Sequence, residues 1–171
     1  MTLPDFLSAL IFLHLALSVL HKTVDPDRAR TATARLLGPA AHWASFALAA
    51  AVAIEAGSAL GMLIPGWTAF GMAGAGAIWL IYSGAAGAAW LSGERRFDCG
   101  CDLGGRRLPS NLGVVAIRAV ALAILALLLA AEAAPVWRDP LALFAALSAM
   151  ALFFASSQLL FNHRQHGSPA A

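Results

Sequence analysis

An all-α integral membrane protein, a compact bundle of about five transmembrane helices, is the fold class this sequence predicts, and three observations predict it. Of 171 residues, 60% are hydrophobic and 12% charged, about half the charged share of a soluble globular domain. Ten of the eleven lysines and arginines stand outside the apolar runs. Five apolar stretches approach or exceed the roughly 20 residues that a helix needs to cross a hydrocarbon core of about 30 Å. A transmembrane barrel is excluded, because its strands alternate in polarity and these runs do not. The formal charge of +2, segregated into the connections, gives no sign of nucleic-acid binding.

Taken in order, the spans cover about residues 3–20, 41–64, 68–91, 111–134 and 141–161 of a single membrane domain, 1–171. The first carries Pro4 and Asp5 at its outer end. It is read as a retained span because no Lys or Arg precedes it and no small-residue cleavage site follows. The second contains Glu55 and a GxxxG at Gly57 and Gly61, and the third carries Gly71, Gly74, Gly76, Gly84 and Gly87. Small residues of this kind let helix backbones approach closely in a membrane. Arg118 lies inside the fourth span. Trp43, Trp67, Trp90 and Trp137 fall near span ends, where indole rings anchor at the interface, whereas Trp79 is mid-span and belongs to the core.

The connections are strongly asymmetric. Lys22, Arg28, Arg30, Arg35, Arg95, Arg96, Arg106, Arg107 and Arg164 fall on one side and Arg138 alone on the other. The positive-inside rule then puts the amino terminus outside and the loop 92–110 at the cytoplasmic face.

That loop holds both cysteines of the chain, Cys99 and Cys101, on either side of Gly100, with Asp98 and Asp102 flanking them. Buried cysteines are ordinarily scattered through apolar segments as small hydrophobes, and here none are. Three readings stand: two inert thiols placed by chance, half of a metal site, or a redox pair. Two cysteines supply only half of a tetrahedral metal set, and no spaced histidine pair accompanies them. In the redox reading one thiolate attacks a disulfide and its neighbour resolves the mixed intermediate. Gly100 allows the tight backbone that so short a ring demands. Neighbouring guanidinium groups favour the thiolate and the aspartates oppose it.

The stretch "FDCGCDLGG" between the third and fourth spans resembles the Asp-Cys-Gly-Cys signature of the methylamine utilization protein MauE family. Other features follow in the same order: His21 and Lys22 ending the first span, Glu55 in the second and Arg118 in the fourth. The chain departs from the common family pattern at Asp102, Leu103 and Ala119. The resemblance implies a multi-pass protein of the bacterial inner membrane. Its implied partners are a thioredoxin-like protein similar to MauD and the exported, disulfide-rich small (beta) subunit of methylamine dehydrogenase, whose maturation it would serve. By analogy with other membrane thiol oxidoreductases, a quinone is a candidate acceptor of the electrons. No other cofactor and no metal is expected. A rival expectation is a non-catalytic scaffold or export factor that docks the maturation machinery. The charge bias places the loop inside, whereas the implied substrate matures outside, where disulfides persist. Three alternatives are open: the loop is reached from the far side, electrons cross through the protein, or the rule fails here.

Ionisable residues at membrane depth are functional candidates, because an unpaired charge there costs about 2.5 to 3.5 kcal/mol. Glu55 and Arg118 are expected to offset that cost by pairing, either as a structural tie or with Arg118 holding an anionic or quinone-like ligand. His14, Ser18 and His21 share a face of the first helix. Lys22 either snorkels to the headgroups or stabilises a thiolate.

Overall fold

The computed structural model describes residues 2–94, 96–97, 110–131 and 135–152. Its helices are α1 (Leu3–Val24), α2 (Pro26–Leu37), α3 (Ala44–Leu63), α4 (Thr68–Leu91), α5 (Leu112–Ala130) and α6 (Pro140–Leu152). Two strands of two residues each, β1 (Arg96–Phe97) and β2 (Ser110–Asn111), pair antiparallel. The architecture is therefore the expected all-α membrane bundle. Among the described residues, four helical runs are long and apolar enough to cross a membrane: Leu3–Val24, Pro26–Leu63, Thr68–Leu91 and Leu112–Ala130. The second run joins α2 to α3 through a 3-10 segment, Gly38–Trp43, with non-helical backbone at Ala40. The expected fifth span meets α6, of which 13 residues are described (140–152).

Helix starts follow from local chemistry. Thr2 Oγ1 accepts the Asp5 N–H while the Asp5 carboxylate accepts the Thr2 N–H, so two backbone donors that the first turn of α1 would leave unpaired are satisfied. Asn111 caps α5 by accepting the Gly113 N–H at 2.9 Å, and Asp139 caps α6 through Leu141 and Ala142. At the far end of α4, Gly93 takes φ +96°, a left-handed turn that only glycine adopts without steric cost.

The segment between the first two spans is a correction to the sequence reading, which treated it as a basic connection. It folds as α2. Asp25 accepts the Arg28 N–H, Pro26 occupies the first helical position, and Gly38 at φ +53° ends the helix. Ala32 and Leu36 of α2 pack with Ala86 and Ala89 of α4 and Leu112, Val115 and Ala116 of α5. Thus α2 lies against the ends of α4 and α5 from which β1 and β2 emerge.

The main core joins Ile11 and Leu15 of α1, Met62 of α3, Met72, Ile78 and Trp79 of α4, and Ala123 and Ala126 of α5. Close approach is set by four of the seven span glycines. A methyl group on Gly71 would stand 2.6 Å from the Ser58 carbonyl oxygen and 2.7 Å from the Met62 nitrogen, and one on Gly76 would stand 2.8 Å from Leu127. Gly61 faces Gly71, and Gly74 faces the Ser58 hydroxyl. Gly57, Gly84 and Gly87 border open space, so the GxxxG of α3 uses only its second glycine. Trp79 is core, whereas Trp43, Trp67 and Trp90 are exposed.

Candidate functional site

The most polar point inside the bundle is built from three helices. Ser18 and Lys22 are one turn apart on α1, which stacks their side chains on one face. Glu55 shares the inward face of α3 with the buried Ser58, Ala59 and Met62, three, four and seven residues on. Tyr82 follows the buried Ile78 and Trp79 by one turn on α4.

These side chains close on one another. Lys22 Nζ lies 2.6 Å from each carboxylate oxygen of Glu55, and it donates to Ser18 Oγ and to Tyr82 Oη, each at 2.9 Å. Ser18 donates in turn to Glu55 Oε1 at 3.1 Å, and Tyr82 donates to the same oxygen at 2.6 Å. Glu55 is 1% exposed and the Lys22 side chain 15%. An opposite charge with several donors is what permits a carboxylate at such depth. Among the described residues no buried side-chain nitrogen or oxygen lacks a partner.

Glu55 is thus paired, but its ion pair is with Lys22 and not with Arg118 as the sequence suggested. Arg118 stands exposed on α5, and the tie joins the first helix to the third. The Lys22 ammonium also turns inward rather than out to the headgroups. His21 is half-buried on α1 and its carbonyl accepts the Asp25 N–H. His14, two turns before His21, meets Trp79 edge-on at 5.8 Å between ring centroids. Sequence reasoning missed Tyr82 altogether, although it is the only tyrosine of the chain and stands inside a span.

Asp98, Cys99, Gly100 and Cys101 lie outside the described residues. Their flanks are described: Arg96 pairs with Asn111 and Phe97 with Ser110, which holds the two ends of segment 98–109 side by side. Because Asn111 also caps α5, this clamp is continuous with the bundle. Ser83 Oγ of α4 adds a 3.0 Å hydrogen bond to the Ala116 carbonyl of α5 just below it.

Among the described residues, no cluster of three His, Cys, Asp or Glu is placed to hold a metal ion. An open groove of about 350 Å³ between α1 and α6 is lined by Leu13, Leu17, Leu147 and Met150 among others, all apolar. It offers hydrocarbon contact and no polar group to orient a headgroup.

Several apolar helices, a charge-paired network within them and a cysteine loop clamped at one end define a multi-pass membrane protein of polar-centred, small-residue packing. The family described as methylamine utilisation protein MauE matches residues 1–132, most of the chain, and the chain belongs to that family. It is accordingly a membrane protein associated with methylamine utilisation. No curated protein and no solved structure matches it.

Proposed function

We propose that this protein is a thiol/disulfide redox protein of the bacterial inner membrane. In this reading Cys99 and Cys101 exchange electrons with a thioredoxin-like partner, and the exchange supports disulfide formation in the small subunit of methylamine dehydrogenase. The observation that carries the reading is the seating of the chain's only two cysteines, one residue apart, in a loop whose ends are clamped by β1 and β2. Family membership supports the pathway. A bridge between residues 99 and 101 would constrain too little chain to matter as a staple, which favours chemistry over reinforcement.

The chemistry is an exchange. One thiolate attacks a sulfur of the partner's disulfide, expelling the other sulfur as a thiolate, and the second cysteine resolves the mixed disulfide. The partner leaves as a dithiol and residues 99 and 101 become the disulfide, or the reverse when the partner arrives reduced. In the quinone-coupled form, the dithiol at 99 and 101 gives two electrons and two protons to a quinone, yielding a disulfide and a quinol.

The test uses single and double replacements in cells that assemble methylamine dehydrogenase. Cys99→Ser or Cys101→Ser alone should trap a mixed disulfide with a thioredoxin-like protein, visible as a dithiothreitol-sensitive band. The double replacement should abolish both the band and enzyme assembly. Normal assembly with both cysteines replaced would sink the redox reading in favour of a docking scaffold.

A further inference from the structure

α2 takes no part in the proposed redox exchange. Its inner face is fully engaged: Ala29 is buried and Ala32 and Leu36 pack on Ala86 and Leu112. Its outer face is a separate surface. Asp27, Arg30, Thr31 and Arg35 are exposed, and at 100° per residue Arg30 and Arg35 occupy the two edges of that face with Asp27, Thr31 and Ala34 between them.

An aromatic group marks the level at which this face stands. Trp43 is the last residue of the 3-10 segment that follows α2. It is 57% exposed, with His42 and Phe46 rings 5.5 and 6.1 Å from its own. Exposed Trp at a span end sits among lipid headgroups. The arginines of α2 therefore lie beside the headgroup layer, on the side of the protein where nine of its eleven Lys and Arg fall. Asp27 offsets part of the charge, yet the exposed face stays cationic.

We infer that α2 is a binding element for anionic phospholipid, with Arg30 and Arg35 holding headgroup phosphates. An arginine donates two parallel N–H bonds to a phosphate, and each basic residue near an anionic surface contributes about 1 kcal/mol. Since the inner face of α2 supports the ends of α4 and α5, a lipid held on its outer face would steady the base of the cysteine loop. The inference does not depend on what the cysteines do, because its measurement is lipid retention.

The full-length protein is reconstituted in vesicles of phosphatidylcholine with a minor share of phosphatidylglycerol, and the lipid retained after extraction is counted by native mass spectrometry. The expected result is enrichment of phosphatidylglycerol over its share in the vesicle, lost at high salt. The preference should fall about fivefold per arginine, the equivalent of about 1 kcal/mol each, in Arg30→Gln and Arg35→Gln. Arg138→Gln, on the opposite side, should leave it unchanged. Both α2 positions are exposed, so the variants should keep the parental helical circular dichroism; if one does not, the salt dependence of the parent decides. Enrichment that survives both replacements overturns the inference, as does none in the parent. So does binding of a soluble acidic protein to α2 without any lipid preference.

Discussion

At the scale of single residues, the chain's physics concentrates on one ion pair. Removing one partner leaves the other charge buried and uncompensated, which costs about 3 to 5 kcal/mol in protein interiors. Glu55→Gln or Lys22→Met should therefore lower the thermal unfolding midpoint sharply in detergent. The double replacement should recover most of the loss, since no orphaned charge remains. Tyr82→Phe deletes one donor and one acceptor and should cost about 1 kcal/mol. A double-mutant cycle that showed no coupling between Lys22 and Glu55 would contradict the geometry. The sequence pointed to both residues, Glu55 as a charge within a span and Lys22 as a cation at a span end, but it misassigned the partner. Which helices are neighbours, and how each is rotated, is not written in one-dimensional hydropathy. The four-residue spacing of Ser18 and Lys22, with a lone tyrosine in the third span, was the available signal.

At the scale of elements, helix contacts turn on small residues at particular turns. Gly71→Ala would place a methyl group against backbone atoms of α3, which cannot rotate away as a side chain can. The helices must separate, at about 1 to 3 kcal/mol. Gly84→Ala meets nothing within 4 Å and should be neutral or slightly stabilising, because alanine favours helix over glycine. Equal midpoints for the two variants would refute the assigned packing. Sequence marked seven glycines as equivalent, and only packing separates the four in contact from the three in the open. The overlooked α2 was legible in principle: Asp25 before Pro26 and Gly38 after Leu37 are ordinary start and stop signals. The segment's basic charge masks them, because hydropathy registers such a stretch only as a connection.

At the scale of the whole molecule, the alternating helices put Arg30 and Arg138 on opposite sides, and the charge bias assigns the Arg30 side to the cytoplasm. In a background lacking both cysteines, Arg138→Cys should react with a membrane-impermeant maleimide in intact cells, and Arg30→Cys should react only after the cells are opened. The reverse pattern would invert the orientation and bring the cysteine loop to the compartment where exported subunits acquire disulfides. The four long apolar helical runs were readable because hydrocarbon thickness imposes a length that composition reports directly. The pairing of helices was not, since every span is apolar on most of its surface.

The buried link between Lys22 and Glu55 also bears on biogenesis. A charge at membrane depth is disfavoured by a few kcal/mol, and α3 carries one in Glu55, whereas Lys22 stands in the last turn of α1, where its flexible stem can reach the headgroups. Glu55 does not settle comfortably by itself. Together they form an electrically neutral couple, so an α1 already in place eases the entry of α3 by turning its ammonium inward to meet the carboxylate.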